Sequence, residues 1–299
     1  MSAPSEAALG LLLDRCFGEP PDAVHPVRAF GAVMAKVEGR LWRDTRAAGV
    51  AHAASGVALG AAAGLVVRST AAATALAVGG RALWRAAGDV AAALDAHDLE
   101  RARRLLPSLV GRDPAGLDEK EVARAVVESV AENTVDAIVA PALWGAAAGA
   151  PGALGYRAVN TLDAMVGHRT TRHERYGWAS ARLDDAANWL PARATAALVV
   201  GVRPRAAAAV WGAVRHQAPA HPSPNAGVAE AAFAAALGVR LGGTNAYASG
   251  LDERPPLGDG PPPSPVDIPR AIRLSSDVAW ALTAALALTG RRRPGWGRG

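Results

Sequence analysis

The sequence has little cysteine, little lysine and few aromatic rings. Of 299 residues only Cys16 carries a thiol, which excludes a disulfide scaffold and a cysteine-cluster metal site. Lysine is confined to Lys36 and Lys120, and aromatic residues make up 5%. What is abundant is alanine, about a quarter of the chain, with 32 Gly and 21 Pro. A hydrophobic share of 51% excludes a disordered chain, and the length allows one or two domains. Alanine is only weakly apolar, so that share alone does not separate a soluble protein from a membrane protein.

A nucleic-acid footprint is also missing. The formal charge is +5, but the arginines are scattered and no basic helix interleaved with aromatics is present. The compact run is Arg291, Arg292 and Arg293 at the tail. Small anionic groups remain suitable partners, because guanidinium grips carboxylate and phosphate in a two-pronged fork. No secretory signal is read at the start, where MSAPSEAALGLLLDRC has no basic leader and carries Glu6.

The apolar residues gather into stretches poor in charge: 47–67, 69–84, 137–156, 194–202 with its flanks, and 278–290. The first is long enough to cross hydrocarbon. Pro141 and Pro151 kink the third or make it re-entrant. Within the first, Gly56, Gly60 and Gly64 recur every four residues, a pattern that lets a second helix approach closely in lipid. Between these stretches, residues 81–106 read as one polar helix. Asp118, with Glu121 three residues on, reads as the capped start of a helix running through Asp136. Residues 223–227 and 255–265 read as loops. No strand alternation of useful length is visible, and the expected fold is all-α: a multi-pass membrane helical bundle with polar cytosolic helices and loops, forming one domain over 1–299. A soluble alanine-rich bundle is the competing architecture.

Two polar blocks hold the candidate chemistry. In 111–141, Arg124, Glu128, Glu132 and Asp136 fall at steps of four on one helix face, with Asn133 beside them. A salt-bridged solvated face would look the same. This stripe, however, runs straight into an uncharged stretch, where carboxylates are costly unless they face a cavity, a metal or a partner. In 160–188, Asn160 pairs with Asp163 at spacing three, and Asp184-Asp185 precede Asn188. Such a set suits magnesium, which takes one or two carboxylates plus substrate phosphate. Arg169, Arg172, Arg175 and Arg182 intervene.

Two proline-stiffened segments, His25-Pro26-Val27-Arg28 and His221-Pro222-Ser223-Pro224-Asn225, hold polar groups at low entropic cost, though plain connectors share that look. The His168/His173 and His216/His221 spacing of five places neither pair on one helix face, so zinc is not expected. No phosphate-loop, H-E-x-x-H or G-x-S-x-G pattern occurs.

Four long blocks carry a resemblance: LLLDRCFGEPPDAVHPVRAFG from residue 11, GRDPAGLDEKEVARAVVESVAENTVDAIVAPALWG from 111, YRAVNTLDAMVGHRTTRHERYGWASARLDDAANWLPAR from 156, and HPSPNAGVAEAAFAAALGVRLGGTNAY from 221. In order and content they resemble the CobD/CbiB cobalamin biosynthesis proteins, over about residues 11–273. The resemblance implies a multi-pass protein of the cell membrane. Its implied reaction joins aminopropanol, or its O-phosphate, to a propionate carboxyl of adenosylcobyric acid, giving adenosylcobinamide or its phosphate. A propionate carboxylate is a poor acylating agent, so ATP as a substrate and Mg²⁺ as activator are expected, with the corrinoid as the other substrate. Membrane lipid and other enzymes of the pathway are the implied partners, and nucleic acid is not one.

Set beside that chemistry, Glu128, Glu132, Asp136 and Asp163 are the expected catalytic acids and base, and Asp184, Asp185 and Asn188 the expected metal ligands. His25, Arg28, Arg112, Asn133, Asn160, Arg169, Arg182, His221, Ser223 and Asn225 are the expected substrate contacts. A membrane transferase using a magnesium diphosphate would need the same acid–amide pairs and arginines, and a non-catalytic corrinoid-pathway scaffold is the third reading. The basic tail after 278–290 favours a cytoplasmic C-terminus.

Overall fold

A computed structural model describes residues 1–21, 25–111, 113–168, 170–247 and 250–290. Among them the chain is almost wholly helical and divides into two compact units. One comprises 1–79, 140–184 and the chain from 280; the other comprises 80–139 and 185–279.

The first unit is built from α1 (Ala3–Phe17), α2 (Pro26–Leu41), α3 (Arg46–Val67), α4 (Thr70–Ala77) and α8 (Ala140–Leu162). Helix α3 packs on α8 through its glycine stripe. A methyl group on Gly60 would stand 2.6 Å from Ala158 Cβ, and one on Gly64 would stand 2.5 Å from Ala150 O. The backbones therefore meet where side chains would normally keep them apart, as the spacing predicts. Ala73, Ala77, Ala150 and Ala153 form a buried cluster between α4 and α8. Gly149 breaks α8 with φ +68°, and Pro151 follows it, so the expected kink is present.

The expected stretch 69–84 is not one helix. Helix α4 stops at Ala77 and a new helix begins at Gly80. Eight residues rise only about 12 Å, too short to cross a bilayer.

The second unit contains α5 (Gly80–Asp95), α6 (Leu99–Leu105), α7 (Glu119–Thr134), α10 (Ala207–His216), α11 (Ala226–Leu237) and a hairpin of β1 (Leu241–Tyr247) and β2 (Gly250–Leu257). Helices α9 (Trp178–Val202) and α12 (Asp267–Gly290) contribute residues to both units. The single helix expected over 81–106 is broken at His97, whose φ of +56° ends α5 before Asp98 caps α6. Helix α7 starts as expected: Asp118 Oδ1 accepts from Glu121 N, and Glu121 Oε2 accepts from Asp118 N, each at 2.8 Å. Trp84 Nε1 and Thr134 Oγ1 both reach Ser275 Oγ, at 2.9 and 2.7 Å.

The hairpin corrects the expectation of no strands and of a loop from Pro255. Gly242 and Gly243, at φ +86° and +102°, form a bulge in the register between Leu241 and Gly243. Pro255 and Pro256 lie inside β2. A strand with two prolines and a glycine bulge has no period-two pattern to detect.

Among the described residues, three helices are long and apolar enough to cross a membrane: α3, the 49-residue path Glu119–Gly167, and α12. A fourth crossing arises if α9 and Pro204–Ala220, bent by 113°, count as one broken span. The short stretches 194–202 and 278–290 gain their missing length from α9 and α12.

Candidate functional site

The acid-bearing blocks are set by local helix geometry. Helix α7 passes into a π turn at Val135–Val139, and α8 ends in another at Asp163–Gly167. Asp136 sits in the first and Asp163 in the second. A π turn accommodates an extra residue and is often found at functional sites. Glu132 is exposed, while Asp136 and Asp163 are half-buried.

Arg124 and Glu128 are both buried, which excludes the solvated salt-bridged face for this part of the stripe. Glu128 Oε1 accepts from Gly242 N at 3.0 Å. Arg124 donates through Nη1 to Gly242 O and through Nη2 to Thr244 O at 2.8 Å. These two side chains hold the glycine bulge of β1, so Glu128 has a positioning task. Asn133 is turned into its own helix, where Nδ2 donates to Ser129 O and Oγ at 3.0 and 3.2 Å.

Around the same hairpin lies a cavity of about 440 Å³, lined by Lys120, Arg124, Arg240, Arg254, Asp118, Glu121 and the 241–244 backbone. Four cations face it, and its two acids are bonded to each other's backbone in the α7 cap. It has the size and charge for an anionic small molecule. Only Arg124 of those cations stands out in the sequence. The other three come together through the folding of the hairpin.

Still in the second unit, the 221–225 segment is ordered by internal bonds. His221 Nδ1 stands 3.1 Å from both the N and the O of Ser223, and Ser223 Oγ accepts from Ala226 N at the start of α11. Its Nε2 faces Glu230 Oε1 at 3.8 Å in the case of His221. Arg254 Nη1 lies 3.6 Å from the same oxygen. Glu230 is fully enclosed and was not singled out in the sequence. Its signal was there: one carboxylate in an otherwise apolar α11, where burial is costly without cationic neighbours. Asn225 bridges α9, accepting from Arg193 Nη1 at 3.0 Å and donating to Asp185 O at 2.8 Å. Asn188, further along α9, is buried.

In the first unit the fold brings together residues from different sequence pairs. Asn160 on α8 donates to Asp184 Oδ1 on α9 at 3.4 Å. Among the described residues no group of three His, Cys, Asp or Glu is placed as a metal cage. Asp184 with Asn160 offers hard oxygen donors of the kind magnesium takes alongside substrate phosphate. Arg182 and Arg28 are exposed. Arg112 and Arg169 lie outside the described residues, as do Arg291, Arg292 and Arg293.

His25 caps α2, its Nδ1 accepting from Val27 N at 3.3 Å, with Glu19 at 3.5 Å from Nε2. Glu38 joins Arg172 and His173, at 3.1 and 3.2 Å. Burial pushes the Glu38 carboxyl up, but hydrogen bonds and charge from His173 and Arg172 outweigh it and hold it below its usual range. Tyr176 beside them is pushed up to about 12 by burial, with the Glu38 charge adding to the rise.

Comparison with known proteins decides the family. The family model described as CobD/Cbib protein matches residues 7–275. This chain belongs to the CobD/CbiB family. A protein of Mycobacterium tuberculosis named Cobalamin biosynthesis protein CobD is 50% identical over 306 residues, covering 96% of each chain. Proteins of the same name from Rhodobacter capsulatus and Geobacter metallireducens are 42% and 45% identical, covering 90% and 86% of this chain and 91% and 86% of their own. No solved structure matches. The CobD/CbiB match contains the hairpin, both π turns and all the candidate carboxylates.

Proposed function

We propose that this protein makes an amide bond between aminopropanol, or its O-phosphate, and a propionate carboxyl of adenosylcobyric acid, in an ATP- and Mg²⁺-dependent ligation at the cell membrane. Its family makes it a protein of cobalamin biosynthesis. The observation that carries the finer reading is the match over residues 7–275, which contains the four blocks with every candidate acid, amide and arginine.

A carboxylate does not acylate an amine unaided, so ATP must first convert its oxygen into a leaving group. The amine attacks only as the free base, which requires an acceptor for the ammonium proton. Glu132, Asp136 and Asp163 are carboxylates suited to that acceptance, and the exposed Glu132 is the most accessible to a substrate from solution. Asp184, with its oxygen fixed by Asn160, would hold Mg²⁺. That ion would supply charge neutralisation on phosphoryl oxygens. The cationic cavity at the hairpin would bind an anionic group of a substrate and keep it oriented.

The test is an assay of the purified, detergent-solubilised protein with adenosylcobyric acid, aminopropanol phosphate, ATP and Mg²⁺, following the corrinoid by mass. Amide product formed only with ATP supports the ligase, with Asp184→Ala and Glu132→Ala losing turnover. Pyrophosphate release without any need for ATP would instead show a transferase. Corrinoid binding without turnover would show a scaffold.

A further inference from the structure

A groove in the first unit is separate from the residues assigned above. It is lined by Leu154, Arg157, Ala158 and Thr161 of α8, Gly60 and Ala63 of α3, Leu76 of α4, and the first turn of α2 with Phe30. The α8 residues fall at spacings of three and four, so they share one helix face. Along that face the chemistry changes in order, from Leu154 to the guanidinium of Arg157 to the hydroxyl of Thr161.

Two observations define what the groove fits. Arg157 Nε is buried with no hydrogen-bond partner, and no ion pair of Arg157 is found among the described residues. A half-buried guanidinium with an unpartnered Nε, beside apolar helix surface, calls for an anion. The groove also lies where surface character changes. Beside its α2 wall, Arg28 is exposed to solvent, whereas α3 beyond Gly60 exposes Leu65 at 66% and Val66 at 80%. Helix α3 is itself a candidate span. Aqueous charge at one end and lipid-facing apolar surface at the other describe the headgroup level of a bilayer.

We propose that this groove is a binding site for an anionic glycerophospholipid. The phosphate accepts from the Arg157 guanidinium and from Thr161 Oγ1, and an acyl chain lies along Leu154, Gly60, Ala63 and Leu76. The site does not depend on the ligase activity. Thr161 Oγ1 donates to Arg157 O at 2.7 Å in its own helix, so it would exchange that partner for the phosphate.

The experiment uses the full-length protein in detergent, titrated with phosphatidylglycerol, phosphatidylcholine or inorganic phosphate, and read by native mass spectrometry and thermal shift. Phosphatidylglycerol should bind and raise the melting temperature more than phosphatidylcholine does. Arg157→Gln should weaken phosphatidylglycerol binding at least about tenfold, the loss expected for a charge-assisted hydrogen bond, while Arg157→Lys keeps most of it. Ala63→Phe, on an exposed part of α3, fills the apolar end and should weaken binding whatever the headgroup. If Arg157→Gln fails to fold, the Lys and Phe variants carry the test. Unchanged phosphatidylglycerol binding in Arg157→Gln or in Ala63→Phe would overturn the proposal. So would protection by inorganic phosphate equal to that by the lipid, which would mark a free-phosphate site.

Discussion

The two units solve the same problem with opposite materials. The first is held by the near-absence of side chains: α3 meets α8 along Gly56, Gly60 and Gly64, and α4 meets α8 through alanine methyls. The second is held by charge taken indoors, with Arg124 and Glu128 on the hairpin bulge and Glu230 enclosed beside His221 and Arg254. Dispersion between small residues is cheap in entropy and tolerates no added volume. Buried ions tolerate some change of shape but not the loss of a partner. The two units should therefore fail under different substitutions.

The largest effect is expected from Arg254→Leu, which removes the guanidinium 3.6 Å from Glu230. Breaking one side of a buried ionic set costs about 3–5 kcal/mol. Chemical denaturation should show that loss, and the double variant Arg254→Leu with Glu230→Leu should recover part of it. No recovery would mean that the enclosed carboxylate is not held by Arg254.

In the first unit, Gly60→Leu should cost about 1–3 kcal/mol by overpacking, because even a methyl there would meet Ala158 Cβ and Leu154 O. Exposed Gly201, where an added methyl would have nothing within 4 Å, should accept leucine with little change in melting temperature. Equal losses at both positions would break the claim that the stripe is a contact surface.

A smaller loss, about 1 kcal/mol, is expected for Asp118→Ala, which removes the α7 cap. The cap and the glycine stripe were legible because each is written in consecutive spacing: D-x-x-E in one case, G-x-x-x-G-x-x-x-G in the other. The hairpin was not, because its stability rests on Arg124 and Glu128, more than a hundred residues away, and its prolines hide the strand. For the same reason the cationic cavity was legible in one of its four cations. The Asn160–Asp184 contact was missed because spacing rules pair residues within a helix, and this pair joins α8 to α9.

The subtlest test concerns Glu38, where the first unit does use charge, at its polar loop. The folded carboxyl titrates lower than the unfolded one, whose ordinary value is 4.5. Its stabilisation is therefore complete above that value and is lost as pH falls through the depressed one. The melting-temperature deficit of Glu38→Gln should be clear at pH 6 and shrink as pH is lowered below 4.5. A deficit independent of pH would assign the residue a packing role only.

The glycine stripe also bears on how this sequence can drift. A chain in which alanine is the commonest choice is under constant mutational traffic toward it, and glycine is one methyl away. At Gly60 and Gly64 that single methyl already falls within 2.6 Å of a neighbouring atom. The most available replacement is thus the forbidden one, and lineages that share the interface should hold glycine there while alanine spreads through the surrounding positions.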